Sequence, residues 1–437
     1  MSENAARRRV AITGIGLVTP VGNDVATTWS ALDGVKNGAA PITLFDASGF
    51  PTRIAAEVKG FVERVITAPR KLLNYANRSH RFALAAAEEA MRDAGIAPTA
   101  ADGVRWGCAV GTGMMGVDFA DLSAVQRHSA ADGELDPQKL LTDSSAADPR
   151  AFGRSQSTAG LALLTRRFGI RGYATSVHTA CASGGQAIGT ALKLIRRGAV
   201  DRALAGGFDS MISPVGLAGF CLLSAVSTDN DTPQRASRPF DATRNGFVLG
   251  EGAGFLVLEE WESARKRGAR IYAELAGDGN SLSSYRITDS PPDGDGPIQS
   301  MRAALADARA TPADVDYINA HGTSTGMNDR SEAAAIHAVF GNDHAKRVSV
   351  SSTKSSMGHL IAAAGAVEVA ICALAIERGE MPVNANYREP DPDCDLNLVL
   401  DTPRRQRVRM TLSNSFGFGG SNSCIVLRHP ELVEARP

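Results

Sequence analysis

The chain has 437 residues, of which 43% are apolar and 21% charged, as expected for a globular protein that buries a large core in about two or three structural units. Its formal net charge of −1 leaves no strong field to attract nucleic acid or an anionic membrane, and no apolar signal segment precedes the first strand-like segment. The longest nearly apolar stretch, residues 361–376, carries Glu368 at its middle and is too short to span a bilayer. We therefore expect a cytoplasmic protein that binds neither nucleic acid nor membrane.

Strand-like and helix-like segments alternate along the chain. The predicted strands are 9–13 (ended by Gly14 and Gly16), 104–110, 175–179, 203–207, 246–260 with its continuation 271–276, 315–320, 348–352, 410–413 and 424–427. The predicted helices are a short one around Trp29 capped by Asn23 or Asp24, then 80–93, 182–197, 297–309, 331–340 and 359–378. This alternation predicts an α/β protein with helices on both sides of its sheets.

An internal repeat is visible in two segments, 177–184 and 350–359. Each runs from a strand through hydroxyl-bearing residues into an alanine-rich helix. The repeat favours two similar halves that meet at a shared site.

The six cysteines lie singly and lack the paired spacing of a structural zinc site. In a chain without a secretory segment we expect reduced thiols and no metal. Cys181 is the candidate for reactivity, because it lies between a strand and a helix of small residues, where the helix dipole lowers a thiol pKa. The alternative for Cys181 is a buried structural thiol.

Two histidines occupy positions typical of function. His321 follows a strand at a glycine turn, and His359 starts the alanine-rich helix, where the dipole favours a neutral, hydrogen-bond-donating imidazole. The six other histidines are read as structural, and among them only His178 is in doubt. Lys354 precedes the same helix and is the expected partner of Glu368, either as a structural ion pair or in the chemistry.

A glycine pattern at residues 111–116 fits the GxGxxG of dinucleotide sites. No strand ending in an acidic residue follows it, so we do not expect a nicotinamide cofactor. The loop 415–422 places two aromatic residues among three glycines, which suits a backbone that approaches a ligand.

Six segments together resemble the β-ketoacyl-acyl carrier protein synthases, and most closely the synthase II type of bacterial fatty-acid synthesis. They are RVAITGIGLVTPVG at 9–22, TACASG at 179–184, PFDATRNGFVLGEGAG at 239–254, NAHGTST at 319–325, SSTKSSMGH at 351–359 and NSFGFGGSN at 414–422. The resemblance implies a thiolase-like α/β fold of two pseudo-equivalent halves in a five-layered α/β/α/β/α arrangement. The halves would be 1–262, with the nucleophilic cysteine, and 263–437, with the two catalytic histidines.

The implied activity is decarboxylative Claisen condensation of an acyl group, held on Cys181, with malonyl-acyl carrier protein in fatty-acid elongation. The alternative is the ketosynthase subunit of a type II polyketide or polyene pathway, in a heterodimer with a chain-length-factor-like partner. The implied partners are an acyl carrier protein and a second subunit, in a homodimer or a related heterodimer. No cofactor is implied beyond the phosphopantetheine arm of the carrier.

The resemblance also assigns residue roles. His321 and His359 would promote decarboxylation by donating hydrogen bonds, the N–H groups of Cys181 and Phe418 would form an oxyanion hole, and Lys354 and Glu368 would order the site. Phe418 would also act as a gate, Thr323 and Thr325 would bind the phosphopantetheine arm, and Met114 would line the acyl pocket. Phe416 and Gly419 would contact the substrate. Arg70 and Lys71 would belong to a patch on which the carrier protein docks.

This sequence departs from the family pattern at Gly326, at Asn245 and in the loop 282–288, where Leu282, Ser283 and Arg286 replace the usual serine, aspartate and histidine. These changes leave chain-length preference and gating open. A non-catalytic chain-length factor is disfavoured by the intact cysteine and histidines. A thiolase would need a second catalytic cysteine in a CxG setting, whereas Cys424 is followed by Ile425 and Val426.

Overall fold

The computed structural model describes residues 7–113, 118–131, 133–142 and 148–434. The strands of these residues are β1 Val10–Val18, β2 Ala40–Pro41, β3 Ile54–Ala55, β4 Trp106–Thr112, β5 Ala130–Ala131, β6 Glu134–Leu135, β7 Ala174–Val177, β8 Arg202–Ser210, β9 Glu251–Glu260, β10 Ala273–Leu282, β11 Tyr317–Asn319, β12 Ser349–Ser351, β13 Glu380–Met381, β14 Arg404–Arg405, β15 Met410–Phe416 and β16 Ser421–Arg428.

The helices lie between these strands and after the last of them. They are α1 Val25–Asp33, α2 Arg70–Leu73, α3 Arg78–Ala94, α4 Phe119–Ser129, α5 Pro137–Thr142, α6 Pro149–Ser155, α7 Ala159–Phe168, α8 Ser183–Arg196, α9 Pro214–Leu222, α10 Pro233–Ala236, α11 Trp261–Lys266, α12 Asp295–Asp307, α13 Gly326–Phe340, α14 Asn342–Ala345, α15 Lys354–Met357, α16 Ala364–Arg378 and α17 Glu431–Glu434. None of them is both long and apolar enough to cross a bilayer.

The strand order repeats itself in the two halves of the chain. The main sheet runs β12-β11-β15-β16-β10-β1-β9-β8-β4-β7, so each half contributes five strands in the same relative order, and β1 meets β10 at the junction. In each half the first three strands from the outer edge are parallel, and the next two pair antiparallel. The two pseudo-equivalent halves of the predicted fold are confirmed.

Glycines in β1 and β10 show how closely the halves correspond. A Cβ on Gly14 or Gly16 would lie about 2 Å from carbonyl oxygens of α3, at 2.2 and 1.9 Å, and Gly277 and Gly279 meet α12 at 2.3 and 2.1 Å. Both strands also shift register beside the first of their two glycines. The prediction that Gly14 and Gly16 end the first strand is therefore wrong: β1 continues through them, since their missing side chains let a helix lie flat on the strand.

Two helices form the central layer of the molecule. The largest apolar cluster joins α8 and α16 to one face of the strands, including Leu256 and Leu258 of β9. The alternate residues Phe255 and Val257 pack on the opposite face against α3. A third cluster joins α12 and α13 to the strands of the second half. Helices therefore cover both outer faces and fill the middle, which is the predicted five-layered α/β/α/β/α arrangement.

The structure corrects the bounds of one predicted strand and selects one of the two predicted capping residues of the first helix. The segment 246–260 becomes a strand only from Glu251, and 271–276 belongs to a separate strand, β10, after the intervening α11. Asp24 caps α1, because its side chain accepts the N–H of Thr27. The boundary between 262 and 263 falls within α11, and the division of the chain there stays a prediction.

Candidate active site

Cys181 lies in a tight turn where β7 leads into the buried helix α8. The turn, Ala180–Ala182, is a short 3-10 segment, and Ala180 has a left-handed φ of 49°. Glycines make room for it: a Cβ on Gly184 or Gly111 would lie 2.7 Å and 2.5 Å from neighbouring backbone atoms. Gly111 of the GxGxxG pattern thus serves the packing of α8 against β4.

His359 contacts the thiol directly. Its Nε2 lies 3.0 Å from the Sγ of Cys181, and its Nδ1 accepts the backbone N–H of Ile361 at 3.2 Å. Because Nδ1 accepts a hydrogen bond, the ring proton of the neutral imidazole lies on Nε2 and points toward the sulfur. Burial and the positive charge of Lys354 hold the pKa of His359 well below 6.5.

His321 lies beside this pair, just after β11. Its ring centroid is 5.3 Å from that of His359 and 5.6 Å from that of Phe416. Burial, Lys354 and His359 lower its pKa well below 6.5, so this imidazole is neutral as well. Two neutral imidazoles therefore face the same thiol.

Glu332, a buried residue of α13, holds the loop that carries His321. Its carboxylate accepts the N–H groups of His321 at 2.9 Å and Gly322 at 2.7 Å, and it also accepts Asn414 at 3.1 Å. Burial raises the pKa of Glu332 to about 7. Glu332 is a functional residue that the sequence motifs above do not include; its one local signal is a carboxylate on an otherwise alanine-rich stretch of a helix.

Lys354 and Glu368 form the ion pair that the sequence predicts. Nζ of Lys354 contacts Oε1 of Glu368, and the two side chains are almost fully buried. The pKa of the Glu368 carboxyl is raised by burial, and Lys354 acts in the opposite direction. Lys354 also influences the pKa values of Cys181, His321 and His359, so its charge lies close to all three.

The expected lowering of the Cys181 pKa is wrong for the resting site. Burial raises the pKa of this thiol to about 12, although Lys354 and the N–H of Phe418 favour the thiolate. At neutral pH the site therefore holds a thiol and two neutral imidazoles. The thiolate is therefore a minor species in the resting site, and the thiol has to lose its proton in the course of the reaction.

A cavity of about 370 Å³ opens onto these side chains. Its lining residues include Cys181, His321 and His359 and the predicted Thr323, Thr325, Phe416 and Phe418, but not Lys354 or Glu368. The hydroxyl oxygens of Thr323 and Thr325 lie 2.9 Å apart. Gly419 does not line the cavity, although its neighbours Gly417 and Gly420 do.

The loop 282–288 is tied to the glycine-rich loop 417–420. The N–H of Gly419 donates to the carbonyl of Ile287 at 2.6 Å, and the N–H of Ser283 donates to the carbonyl of Gly420 at 2.7 Å. A Cβ on Gly420, which has a φ of 81°, would lie 2.2 Å from the Ser283 oxygen. The conformations of the two loops at the edge of the cavity therefore depend on each other.

The other predicted site residues lie elsewhere. Met114 is outside the described residues, while Arg70 and Lys71 are exposed on α2. Asn245, one of the departures from the family pattern, does line the cavity, where its side chain accepts a hydrogen bond from the Ser227 hydroxyl at 2.7 Å and donates one to Asp229 at 3.0 Å.

Among the described residues, Cys181, His321 and His359 form a group with metal-binding donor atoms, all within 4.8 Å of one another. A metal on Nε2 of His359 would have to replace the ring proton that the Ile361 hydrogen bond fixes there. The arrangement thus favours hydrogen-bond donation over metal ligation.

A second cavity of about 650 Å³ lies at the ends of β4 and β8 and includes His178 and Asp209 in its lining.

Comparison with known proteins identifies the family. The family model for the β-ketoacyl synthase N-terminal domain matches residues 7–264, and that for the C-terminal domain matches residues 272–388. A curated relative, the 3-oxoacyl-[acyl-carrier-protein] synthase 2 of Coxiella burnetii, is 41% identical over 96% of this chain and 98% of its own length.

Two solved structures share the fold. The ishigamide ketosynthase/chain length factor superposes with a TM-score of 0.86 at 36% identity, over 97% of this chain and 99% of that one. A type II polyketide-synthase acyl carrier protein in complex with its ketosynthase gives 0.85 at 34% identity, again over 97% and 99% of the two chains. With its cysteine and two histidines converging on one cavity, this chain belongs to the β-ketoacyl synthase family.

Proposed function

We propose that this condensing enzyme, an acyltransferase of fatty-acid elongation, joins an acyl group held on Cys181 to malonyl-acyl carrier protein, releasing CO₂ and β-ketoacyl-acyl carrier protein. The observation that carries the proposal is the 3.0 Å contact between Nε2 of His359 and the Cys181 sulfur, with His321 alongside in the same cavity. The relative from Coxiella burnetii supports the carrier-bound substrate.

In the first step the Cys181 sulfur attacks the thioester carbonyl of an acyl carrier protein. A new C–S bond forms, the bond to the pantetheine sulfur breaks, and the thiol proton leaves with the departing carrier thiol. The backbone N–H of Phe418, which already faces the Cys181 sulfur, stabilises the oxyanion together with the N–H of Cys181. Because burial raises the pKa of the resting thiol to about 12, Cys181 enters this step as the thiol and loses its proton during it.

In the second step malonyl-acyl carrier protein enters the cavity and loses CO₂. The electrons of the broken C–C bond move into the thioester, and the N–H groups of His321 and His359 donate hydrogen bonds to the enolate oxygen. Because the pKa values of both histidines are lowered, both rings stay neutral at neutral pH, and each has one N–H to donate.

In the third step the enolate carbon attacks the acyl-Cys181 carbonyl. The C–S bond breaks, the β-ketoacyl product stays on its carrier, and one proton from solvent restores the thiol. Lys354 and Glu368 keep the site ordered and electrostatically balanced, and no cofactor beyond the phosphopantetheine arm takes part.

The carrier arm enters past Thr323 and Thr325, whose hydroxyls bind it, with Phe416 and Gly419 on the substrate side and Phe418 as the gate. The carrier itself rests on exposed apolar side chains at the mouth, Leu223 and Ile287, as well as on the basic patch of α2. Weaker carrier binding by Ile287→Ser, with unchanged turnover of a free pantetheine thioester, would support this surface.

The active unit is a dimer, either of two copies or of this chain with a related subunit. The heterodimer corresponds to a second candidate function, the ketosynthase subunit of a type II polyketide or polyene pathway. It is favoured by the similarity to the ishigamide and polyketide ketosynthases over nearly the whole chain, and by the altered loop 282–288.

Intact-protein mass spectrometry tests the proposal. The protein is mixed with a panel of acyl-carrier-protein thioesters, and malonyl-carrier protein is then added. We expect an acyl adduct on Cys181 that disappears as an extended β-ketoacyl product forms, and the preferred chain separates fatty-acid from polyketide substrates.

Histidine variants extend that experiment. Changing His321 or His359 to Asn should slow malonyl decarboxylation by about 10²- to 10³-fold, as for other lost oxyanion donors. The absence of any adduct on the wild-type protein would contradict the proposal.

A further inference from the structure

Asp209 is a buried carboxylate that the steps above do not use. It lies at the end of β8, where Oδ1 accepts the N–H of Ser210 at 2.8 Å. Its Oδ2 accepts the backbone N–H of Ala362 at 3.1 Å, in the other half of the fold. Burying a carboxylate costs free energy unless hydrogen bonds compensate, so this contact between halves requires a reason.

Ala362 belongs to the turn that orients His359. Two successive N–H groups of this turn have separate acceptors: Ile361 donates to Nδ1 of His359 at 3.2 Å, and Ala362 donates to Asp209. Ile361 has a left-handed φ of 49°, which is strained for a β-branched residue and persists only where the surroundings fix it. Asp209 supplies such a fixed point one residue away.

We propose that Asp209 is a positioning residue for His359: it anchors the 359–362 turn, so that Ile361 donates to Nδ1 and the Nε2 proton faces Cys181 and the incoming thioester. The inference rests on the proposed role of His359 in decarboxylation. Asp209 touches no reacting atom, because it acts through the Ala362 N–H.

The surroundings of Asp209 fit a fixed anchor. A Cβ on Gly113 would lie 2.4 Å from Oδ1, so the chain leaves space for the carboxylate only because glycine stands there. The neighbouring carboxylate, Glu251, has its own partners, Arg78 and the Ser210 hydroxyl at 2.6 Å. The Ser210 hydroxyl can therefore be removed without touching the Asp209–Ala362 bond.

The experiment compares Asp209→Ala, Asp209→Asn and the control Ser210→Ala. Malonyl decarboxylation gives kcat and KM, thermal unfolding reports folding, and ¹⁵N NMR of labelled histidine reports which ring nitrogen of His359 carries the proton. The His359 signals are assigned by their absence in His359→Asn. The NMR measurement needs no turnover, so a failure of the proposed function would leave the positioning role separately testable.

For Asp209→Ala we expect kcat to fall by about 10²-fold, the size seen when one oxyanion donor is lost, with KM changed by less than about threefold. His359 should then show a fraction of the Nδ1-protonated form. Asp209→Asn keeps one acceptor oxygen and should lie between Asp209→Ala and wild type, while Ser210→Ala should match wild type.

A wild-type kcat and tautomer in Asp209→Ala would overturn the proposal. So would a loss confined to KM, or an equal loss in Ser210→Ala. If Asp209→Ala does not fold, Asp209→Asn decides by the same measurements.

Discussion

Two turns of the molecule, 178–183 and 359–364, have similar backbone conformations but different chemical roles. Ala180 and Ile361 have the same left-handed φ of 49°, and each turn continues through a short 3-10 segment into a buried central helix, α8 or α16. A histidine stands at the same point of each turn, two residues before the left-handed one. The same turn therefore occurs once in each of the two pseudo-equivalent halves.

Single residues decide what each turn does. The position of Cys181 in the first turn is occupied by Ala362 in the second, and that of Ala187 in α8 by Glu368 in α16. His359 contacts the thiol, whereas its counterpart His178 lines the second cavity. One turn thus supplies the nucleophile, and the other supplies the hydrogen-bond donor that faces it.

The largest expected effect comes from Cys181→Ala, which gives the first turn the residue of the second. Condensation should fall by about 10⁴-fold or more, because Cys181 is the one thiol among the described residues that line the cavity with the histidines. Malonyl decarboxylation should persist, since His321 and His359 remain. Product analysis by mass spectrometry measures both reactions in one sample.

The reciprocal change is the matched control. Adding Ala362→Cys to Cys181→Ala should not restore condensation, because position 362 is fully buried beside Asp209. Condensation by Cys181→Ala alone would show that another residue is the nucleophile.

Lys354→Met breaks the ion pair that distinguishes α16 from α8. It leaves the Glu368 carboxylate buried without its partner, which typically lowers the free energy of unfolding by about 3–5 kcal/mol. Urea denaturation measures the loss. The double variant Lys354→Met/Glu368→Leu should recover most of it, because α8 carries the apolar Ala187 at the equivalent position. A double variant as unstable as the single one would assign the loss to packing around Lys354.

Much of this comparison was accessible from the sequence. The cysteine at a strand-to-helix junction, the two histidines at loop and helix starts and the Lys354–Glu368 pair are local signals, and the structure brings them together. The repeat was also visible, although 350–359 stops before Ala362, the true counterpart of Cys181. The intervening helix α15 separates the second strand from its turn and hides the correspondence.

Other features depend on tertiary structure and left no local signal. Gly14 and Gly16 resemble strand breakers until α3 is known to lie against them. The helix dipole predicts a low thiol pKa, whereas burial dominates and raises it to about 12. The contact of Asp209 with Ala362 joins residues far apart in sequence.

The pH dependence of stability tests whether the histidine of the second turn is neutral. The pKa of His359 is held well below 6.5 in the folded protein. Below pH 6.5 this imidazole therefore binds a proton in the unfolded chain but stays neutral in the folded chain. Wild type should therefore lose stability relative to His359→Gln by about 1.4 kcal/mol per pH unit as the pH falls below 6.5.

Comparing wild type with His359→Gln removes the groups that titrate alike in both proteins, and burial and Lys354 keep the pKa of His321 low in both. Carboxyls whose pKa is raised to about 7, such as Glu332 and Asp209, titrate in both proteins and largely cancel in the difference. Urea denaturation at pH 5.5, 6.5 and 7.5 gives the values. A difference that does not change with pH would mean that His359 has an ordinary pKa in the folded state.

The smallest expected effect belongs to His178→Asn, the same change at the equivalent position of the first turn. His178 lines the second cavity and not the 370 Å³ cavity that holds the thiol. Decarboxylation and condensation should both stay within about twofold of wild type, which is less than 0.5 kcal/mol in barrier height. His359→Asn, with its expected loss of about 10²- to 10³-fold, is the matched comparison. A tenfold loss in His178→Asn would show that the histidine of the first turn takes part in the chemistry as well, so that the two turns would not divide the nucleophile and the hydrogen-bond donor between them.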